Sequence, residues 1–125
     1  MEENEIATIV VDCCVKLHMR YGPGLFESVY EELLCYELTK HELEFTRQEP
    51  IELIHEGVKL DCAFRADIIV EESVIIELKS VAQLEKVHFK QLQTYLKLTH
   101  LKLGLLINFN EALMKNGIHR VVNNL

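Results

Sequence analysis

The chain has 125 residues, of which 49% are hydrophobic and 26% are charged, and its formal net charge is -7. This size and balance predict one globular domain and argue against two domains, a coiled coil or a disordered tail. The negative charge disfavours broad attraction to a polyanion such as DNA, so any contact with nucleic acid has to be local.

The cellular compartment is indicated by the N-terminus and the cysteines. The first five residues are acidic, whereas a signal peptide would begin with basic residues. No apolar run approaches the roughly 20 residues that cross a bilayer, so no membrane contact is expected. The cysteines show no C-x-x-C spacing and lie in apolar stretches, which favours reduced packing thiols over metal ligands: Cys13, Cys14, Cys35 and Cys62. We therefore expect a cytoplasmic protein.

Two helices are predicted in the first third of the chain. Apolar residues spaced by three and four mark one helix over about 3–20, and the glycines and proline of 21–24 end it. A second helix is predicted over about 25–41. Its apolar face carries Phe26, Val29, Tyr30, Leu33, Leu34 and Leu38. Its solvent face carries Ser28, Glu31, Glu32, Thr39 and Glu42.

The remainder predicts an α+β fold. Short apolar runs from Glu44 to Lys79 are typical of antiparallel strands, most simply a meander. Helical spacing returns over 83–98, a strand buried on both faces is predicted at 103–109, and a short edge strand at 117–122. This order predicts a sheet with helices covering one of its sides.

The hairpin over 64–79 has a well-specified register. If its turn is the three residues 71–73, Val70 faces Val74 and Asp67 lies opposite Glu77. One face is then continuously apolar: Ala66, Ile68, Val70, Val74, Ile76 and Leu78. The other face carries Arg65, Asp67, Ile69, Ile75, Glu77 and Lys79.

Two directly opposed carboxylates have Cβ atoms about 5 Å apart and repel each other unless a cation lies between them. Mg²⁺ suits Asp67 and Glu77 because it binds oxygen ligands, often only one or two carboxylates. Lys79 projects from the same face and could orient a water or hold a phosphate oxygen, which suits phosphodiester hydrolysis. The alternative is an ordinary solvated face on which Arg65 and Lys79 neutralise the acids, although Ile69 and Ile75 argue for partial cover.

Two further polar residues project toward apolar helix faces. Gln91 lies one turn before Tyr95 on the third helix, and a buried unpaired amide costs about 1 to 3 kcal/mol. It is therefore either a hydrogen-bonded core amide or part of a site. Glu27 follows Gly24 in the first turn of the second helix and could reach a metal, or it is a simple first-turn acid. Glu37 projects into the same arc.

These residues together resemble a known family. Asp67 followed by Glu77-x-Lys79 resembles the PD-(D/E)xK nuclease signature, and Gln91-x-x-x-Tyr95 is similar to the Q-x-x-x-Y motif of its RecB-type branch. The segment 24–30, Gly-Leu-Phe-Glu-Ser-Val-Tyr, matches the pattern of the GxxExxY protein family. Arg65, His88 and the segment 104–109 fit the same family in the same order, so that the resemblance covers about residues 5–122.

The resemblance implies a restriction-endonuclease-like αβββαβ core with a mixed sheet and the active site at one edge. It implies Mg²⁺ or Mn²⁺ bound by Asp67, Glu77 and the Leu78 carbonyl. Glu27 would be a further acidic ligand or a partner of a metal-bound water, Lys79 the water-positioning base and Gln91 a brace for the site. Ala66 stands where the superfamily has proline, which is not a ligand.

The leading functional hypothesis is a metal-dependent nuclease, with DNA favoured over RNA. A second hypothesis is a catalytically silent binding or scaffold module in a larger complex, since the net charge and small size leave little basic surface for a long duplex. A third is a structural protein whose hairpin face forms a dimer surface. Edge strands also make a homodimer plausible. End or internal cleavage is left open.

Overall fold

A five-stranded mixed sheet forms the centre of the molecule in a computed structural model that describes residues 1–60 and 64–125. The strands are β1 (Phe45–Pro50), β2 (Leu53–His55), β3 (Val58–Leu60), β4 (Arg65–Val70), β5 (Val74–Lys79), β6 (Leu103–Asn108) and β7 (Ile118–Val122). The sheet has the order β1-β4-β5-β6-β7, and only the β5–β6 pair among its strands is parallel.

The helices cover both sides of this sheet. They are α1 (Glu3–Tyr21), α2 (Glu27–Lys40) and α3 (Lys86–Thr99), with a short 3₁₀ turn at Met114–Asn116. Helices α1 and α2 pack on one face, and α3 packs on the other. The expectation that helices cover only one side is therefore wrong. Because β5 and β6 are parallel, a crossover must connect them, and strands this apolar on both faces need cover on both.

The predicted α+β fold is confirmed. The succession α2, β1, β4, β5, α3 and β6 reproduces the αβββαβ core. All three helices and the strands near 103–109 and 117–122 fall close to their predicted positions. No helix in the two described ranges combines the length and apolar character needed to cross a membrane.

The meander is the main topological error. Strand β1 pairs with β4, while β2 and β3 form a separate two-stranded ribbon. The ribbon stays separate from the main sheet because it has no buried face to pack there. Every residue of β3 is exposed. Glu56 and Gly57 both have positive φ, 50° and 80°, as a tight two-residue hairpin turn requires.

Two apolar cores follow from this layering. The first lies under α1 and α2 and contains five of the six residues on the predicted apolar hairpin face: Ile68, Val70, Val74, Ile76 and Leu78. The second lies under α3 and also holds the sixth, Ala66. Cys13, Cys14 and Cys35 are buried free thiols, as expected, while Cys62 falls outside the described residues. Phe26 and Val29 were expected on the apolar face of the second helix but are exposed.

Candidate active site

The register of the β4–β5 hairpin is the predicted one. Val70 pairs with Val74 and Ile68 with Ile76 across a three-residue turn. Beyond the Ile68–Ile76 pair, the two acidic side chains form hydrogen bonds with the backbone of the opposite strand. The Asp67 N–H donates to Glu77 Oε2 at 2.7 Å, and the Leu78 N–H donates to Asp67 Oδ2 at 2.8 Å. Each carboxylate thus binds the backbone of the opposite strand, which holds the two acids against each other.

Burial dominates the electrostatics of this acid pair, defined as Asp67 and Glu77. Glu77 is 4% exposed, and its burial, followed by the neighbouring Asp67 charge, raises its pKa to about 8. Burial also raises the pKa of Asp67, while hydrogen bonds from Leu78 and Gln48 and the charge of Lys79 act in the opposite direction. Full ionisation of both acids is therefore unfavourable without an added cation.

The positive groups near the pair do not neutralise it by direct contact. Half-buried Lys79 follows Glu77 on the same face, yet it makes no ion pair within 4.0 Å among the described residues. Arg65 is exposed and its guanidinium donates to the Gln48 carbonyl at 3.4 Å. The alternative of an ordinary solvated hairpin face fails for Glu77, because this carboxylate is buried.

Gln48 and Glu31 belong to the site although the sequence did not single them out. The Gln48 amide Nε2 donates to Glu31 Oε1 at 2.7 Å and to Asp67 Oδ1 at 3.3 Å. Gln48 adopts φ +51°, a left-handed conformation that is rare for a residue with a side chain. Its amide lies between Glu31 and Asp67. It therefore connects α2 and β1 to the acid pair.

Glu31 was expected on the solvent face of α2, and that expectation is wrong. It is 8% exposed, and its Oε2 accepts hydrogen bonds from Arg47 Nε at 3.0 Å and Nη2 at 2.8 Å. Helical projection cannot separate Glu31 from exposed Glu32, since both lie away from the apolar face. The burial of Glu31 depends on the position of β1, which supplies both of its partners.

Glu27 lies beside the end of β5. Its Oε2 accepts the Ser80 N–H at 3.1 Å, directly after Lys79 in the chain. Tyr30 holds the preceding turn, because its hydroxyl donates to the Gly22 carbonyl at 2.6 Å and accepts the Leu25 N–H at 3.2 Å. The first and last polar residues of the Gly-x-x-Glu-x-x-Tyr segment thus have distinct positions: Glu27 at the strand end and Tyr30 in the core.

The structure brings together Asp67 and Glu77, but it does not add Glu27 to them. Within residues 1–60 and 64–125, no group of three or more His, Cys, Asp or Glu side chains is arranged to hold a metal. The donor chemistry of the pair still fits a hard divalent cation. Mg²⁺ is often held by one or two protein carboxylates, with waters and substrate phosphates completing its coordination.

Gln91 is not in the core. It is exposed on α3, whereas Leu92 and Tyr95 are buried, so of the two alternatives the hydrogen-bonded core amide is wrong. A residue next to Leu92 lies about 100° away around the helix, at the border of the apolar arc. Tyr95 on α3 is close enough to the acid pair for its pKa to be affected. Burial raises the pKa of Tyr95, and the charges of Glu77 and Asp67 raise it further.

A mixed sheet flanked by helices, with acids on adjacent strands and a lysine two residues after the second, defines a restriction-endonuclease-like fold. A sequence model of the PD-(D/E)XK nuclease superfamily matches residues 4–121. The chain therefore belongs to the PD-(D/E)XK nuclease superfamily, which confirms the resemblance at that level. No curated protein and no solved structure gives a significant match to it.

Proposed function

We propose that this protein is a divalent-metal-dependent phosphodiesterase that hydrolyses nucleic acid, with DNA preferred to RNA. The observation that carries the proposal is the acid pair, in which buried Glu77 and half-buried Asp67 contact each other's strands and Lys79 follows two residues after Glu77. Membership of the superfamily supports a nuclease-type function and the general use of divalent metal ions.

In this proposal Asp67, Glu77 and the Leu78 carbonyl would hold Mg²⁺ or Mn²⁺. The ion, when bound, stabilises negative charge on the phosphodiester as a Lewis acid. The two carboxylates would supply two negative charges to the ion, and the buried position of Glu77 would strengthen this attraction. Glu27, whose Oε2 accepts the Ser80 N–H at the same strand end, would have to approach the pair to supply a further oxygen.

Lys79 has two roles in the proposed mechanism. Its ammonium holds a non-bridging phosphate oxygen as a point charge, and it orients the attacking water toward phosphorus. Its half-buried position strengthens these interactions relative to open solvent. Gln91 is exposed, so we assign its amide a contact with the substrate at the rim of the site rather than with the acids.

Four finer assignments belong to the same proposal. Gly24, Glu27 and Tyr30 support the GxxExxY group, and the spacing of Gln91 and Tyr95 supports the RecB-type branch. The edge positions of β1 and β7 support a homodimer. A cytoplasmic location is supported by the buried free thiols Cys13, Cys14 and Cys35.

Thermal unfolding with Mg²⁺ or Mn²⁺ tests the metal site. We expect either ion to raise the melting temperature of the wild type, since a ligand at ten times its dissociation constant adds about 1.4 kcal/mol of stability. Asp67→Ala and Glu77→Ala should abolish the shift. Glu72→Ala is the matched control, because it removes an exposed acid from the turn of the same hairpin and should keep the full shift. A wild type without any shift at millimolar ion would contradict the proposal.

A nuclease assay separates catalysis from the silent binding module. That alternative is favoured by one observation: in the described chain the acids come together as a pair and not as a larger cluster. Single- and double-stranded DNA and RNA should be tested with wild type and Lys79→Ala. We expect cleavage by the wild type and a loss of about 100-fold or more in the variant. Binding without cleavage by the wild type would support the silent module.

A further inference from the structure

Positive charge is concentrated in one part of this acidic chain. Residues 1–60 contain thirteen acidic and five basic residues, whereas residues 86–110 contain four lysines and no acidic residue. The second range includes all of α3 and β6. A net charge of -7 therefore conceals a local region that favours anions.

Three of these lysines form the α3 lysine ridge, defined as Lys86, Lys90 and Lys97. All three are exposed. With about 100° per residue, they fall within about 40° around the helix axis and extend over about 16 Å along it. The opposite side of α3 carries the buried residues Leu92 and Tyr95. None of the three lysines makes an ion pair within 4.0 Å in the described part of the chain.

The ridge and the acid pair occupy the same side of the sheet. Ile75 packs in the core under α3 together with Leu92 and Tyr95. Glu77 lies two residues after Ile75 on β5 and shares its face, because strand side chains alternate. Tyr95 also experiences the charges of both acids. A polyanion lying along α3 is therefore on the same side of the sheet as the acids.

We propose, on the basis of the proposed nuclease function, that the α3 lysine ridge binds the phosphate backbone of the nucleic acid substrate. A second positive surface is needed because the acid pair repels phosphates and the whole chain is negative. The length of the ridge corresponds to about five base steps of one strand, at 3.4 Å per step. Lysines contact phosphates as point charges and read no bases, so the binding is independent of sequence.

The salt dependence of binding tests the ridge without requiring catalysis. Fluorescence anisotropy in EDTA measures the affinity for labelled single-stranded and duplex DNA over a range of salt concentrations. We expect Lys86→Gln/Lys90→Gln/Lys97→Gln to weaken binding at least tenfold and to reduce the slope of log affinity against log salt by about 2 to 3, since each lysine–phosphate contact on duplex contributes about 0.9.

The matched control removes the same charge elsewhere. Lys16→Gln/Lys40→Gln/Lys59→Gln also neutralises three exposed lysines, but these lie on α1, at the end of α2 and on the β2–β3 ribbon. We expect this variant to keep the wild-type slope. If both triple variants lower the slope equally, the effect is one of net charge and the ridge is not the binding surface. Lys86→Arg/Lys90→Arg/Lys97→Arg should restore the slope, and Lys90→Gln alone should reduce it by about 0.9.

A small diester distinguishes failure of the ridge from failure of the proposed hydrolase. With Mn²⁺, bis(4-nitrophenyl) phosphate is too short to span the ridge, so the ridge variant should cleave it at the wild-type rate. Asp67→Asn should lose this activity while keeping the salt slope. A reduced slope without any diester cleavage would support the ridge and contradict the hydrolase. An unchanged slope with intact cleavage would overturn the ridge alone.

Discussion

The two ends of the β4–β5 hairpin share one register but differ in chemistry. At the turn end, Val70 faces Val74 and both are fully buried apolar residues. At the other end, Asp67 and Glu77 come directly after the pair Ile68–Ile76 and bind the backbone of the opposite strand. The comparison shows that the same burial stabilises one end and penalises the other, because it removes apolar groups and charges alike from water.

The largest expected effect is a loss of stability when the apolar part of the hairpin is truncated. Ile76→Ala should lower the free energy of unfolding by about 2 to 5 kcal/mol, because it removes a fully buried side chain from the first core. Urea denaturation measures this loss. Ile54→Ala is the control, since Ile54 is 61% exposed on the β2–β3 ribbon and its truncation should have little effect. Equal losses for the two variants would contradict the assignment of the core.

The second largest expected effect is a pH dependence of stability at the acid end of the hairpin. The pKa of Glu77 is about 8 in the folded protein, above its ordinary value of 4.5, so the folded state retains a proton that the unfolded chain releases. This contribution is fully present below about 4.5 and is lost as pH rises toward 8. Among the residues that the structure describes, the titratable groups that act on Glu77 or are affected by it are Asp67, Lys79 and Tyr95.

Glu77→Gln removes this titration and should flatten that part of the stability profile. We expect wild type to lose roughly a few kcal/mol between pH 4.5 and pH 8 relative to the variant, measured by urea denaturation without divalent ions. Above pH 8 the variant should be the more stable protein although it lacks a proposed metal ligand. A wild type that gains stability relative to the variant over this range would refute the burial penalty.

The smallest expected effect concerns the Gln48 amide, which lies between Glu31 and Asp67. Gln48→Asn keeps an amide and tolerates positive φ, but its side chain is one methylene shorter and cannot bridge Glu31 and Asp67. We expect Mn²⁺ affinity to fall about fivefold, which corresponds to about 1 kcal/mol. Glu56→Asn controls for the backbone, because Glu56 also has positive φ but lies in the ribbon turn. Unchanged affinity in Gln48→Asn would exclude a positioning role.

The acid pair could be predicted from the sequence because local rules determine it. Turn length sets the register of a hairpin, and strict alternation then assigns each side chain to a face. The predicted opposition of Asp67 and Glu77 agrees with the pairing of Ile68 with Ile76. The superfamily resemblance rested on the same local spacing, and the match over residues 4–121 confirms it.

The surroundings of the pair could not be predicted in the same way. Glu31 and Glu32 are equivalent in projection, yet only Glu31 is buried, because Arg47 and Gln48 arrive from a strand whose position is set by β4. Gln91 lies at the border of an apolar arc, where the tilt of α3 on the sheet decides its exposure. The β2–β3 ribbon is separate from the main sheet because β1 pairs with β4 rather than with β2, and this pairing is not local in sequence.

The sequence by itself determined the helices, most strands and the meeting of two carboxylates, because these follow from periodicity and turn length over a few residues. The tertiary structure decided that helices cover both faces, that Gln48 joins Glu31 to Asp67, and that lysines of α3 share a side with the acids. The physical reason is that burial and hydrogen bonding between distant segments depend on how the layers pack, and no local pattern records that packing.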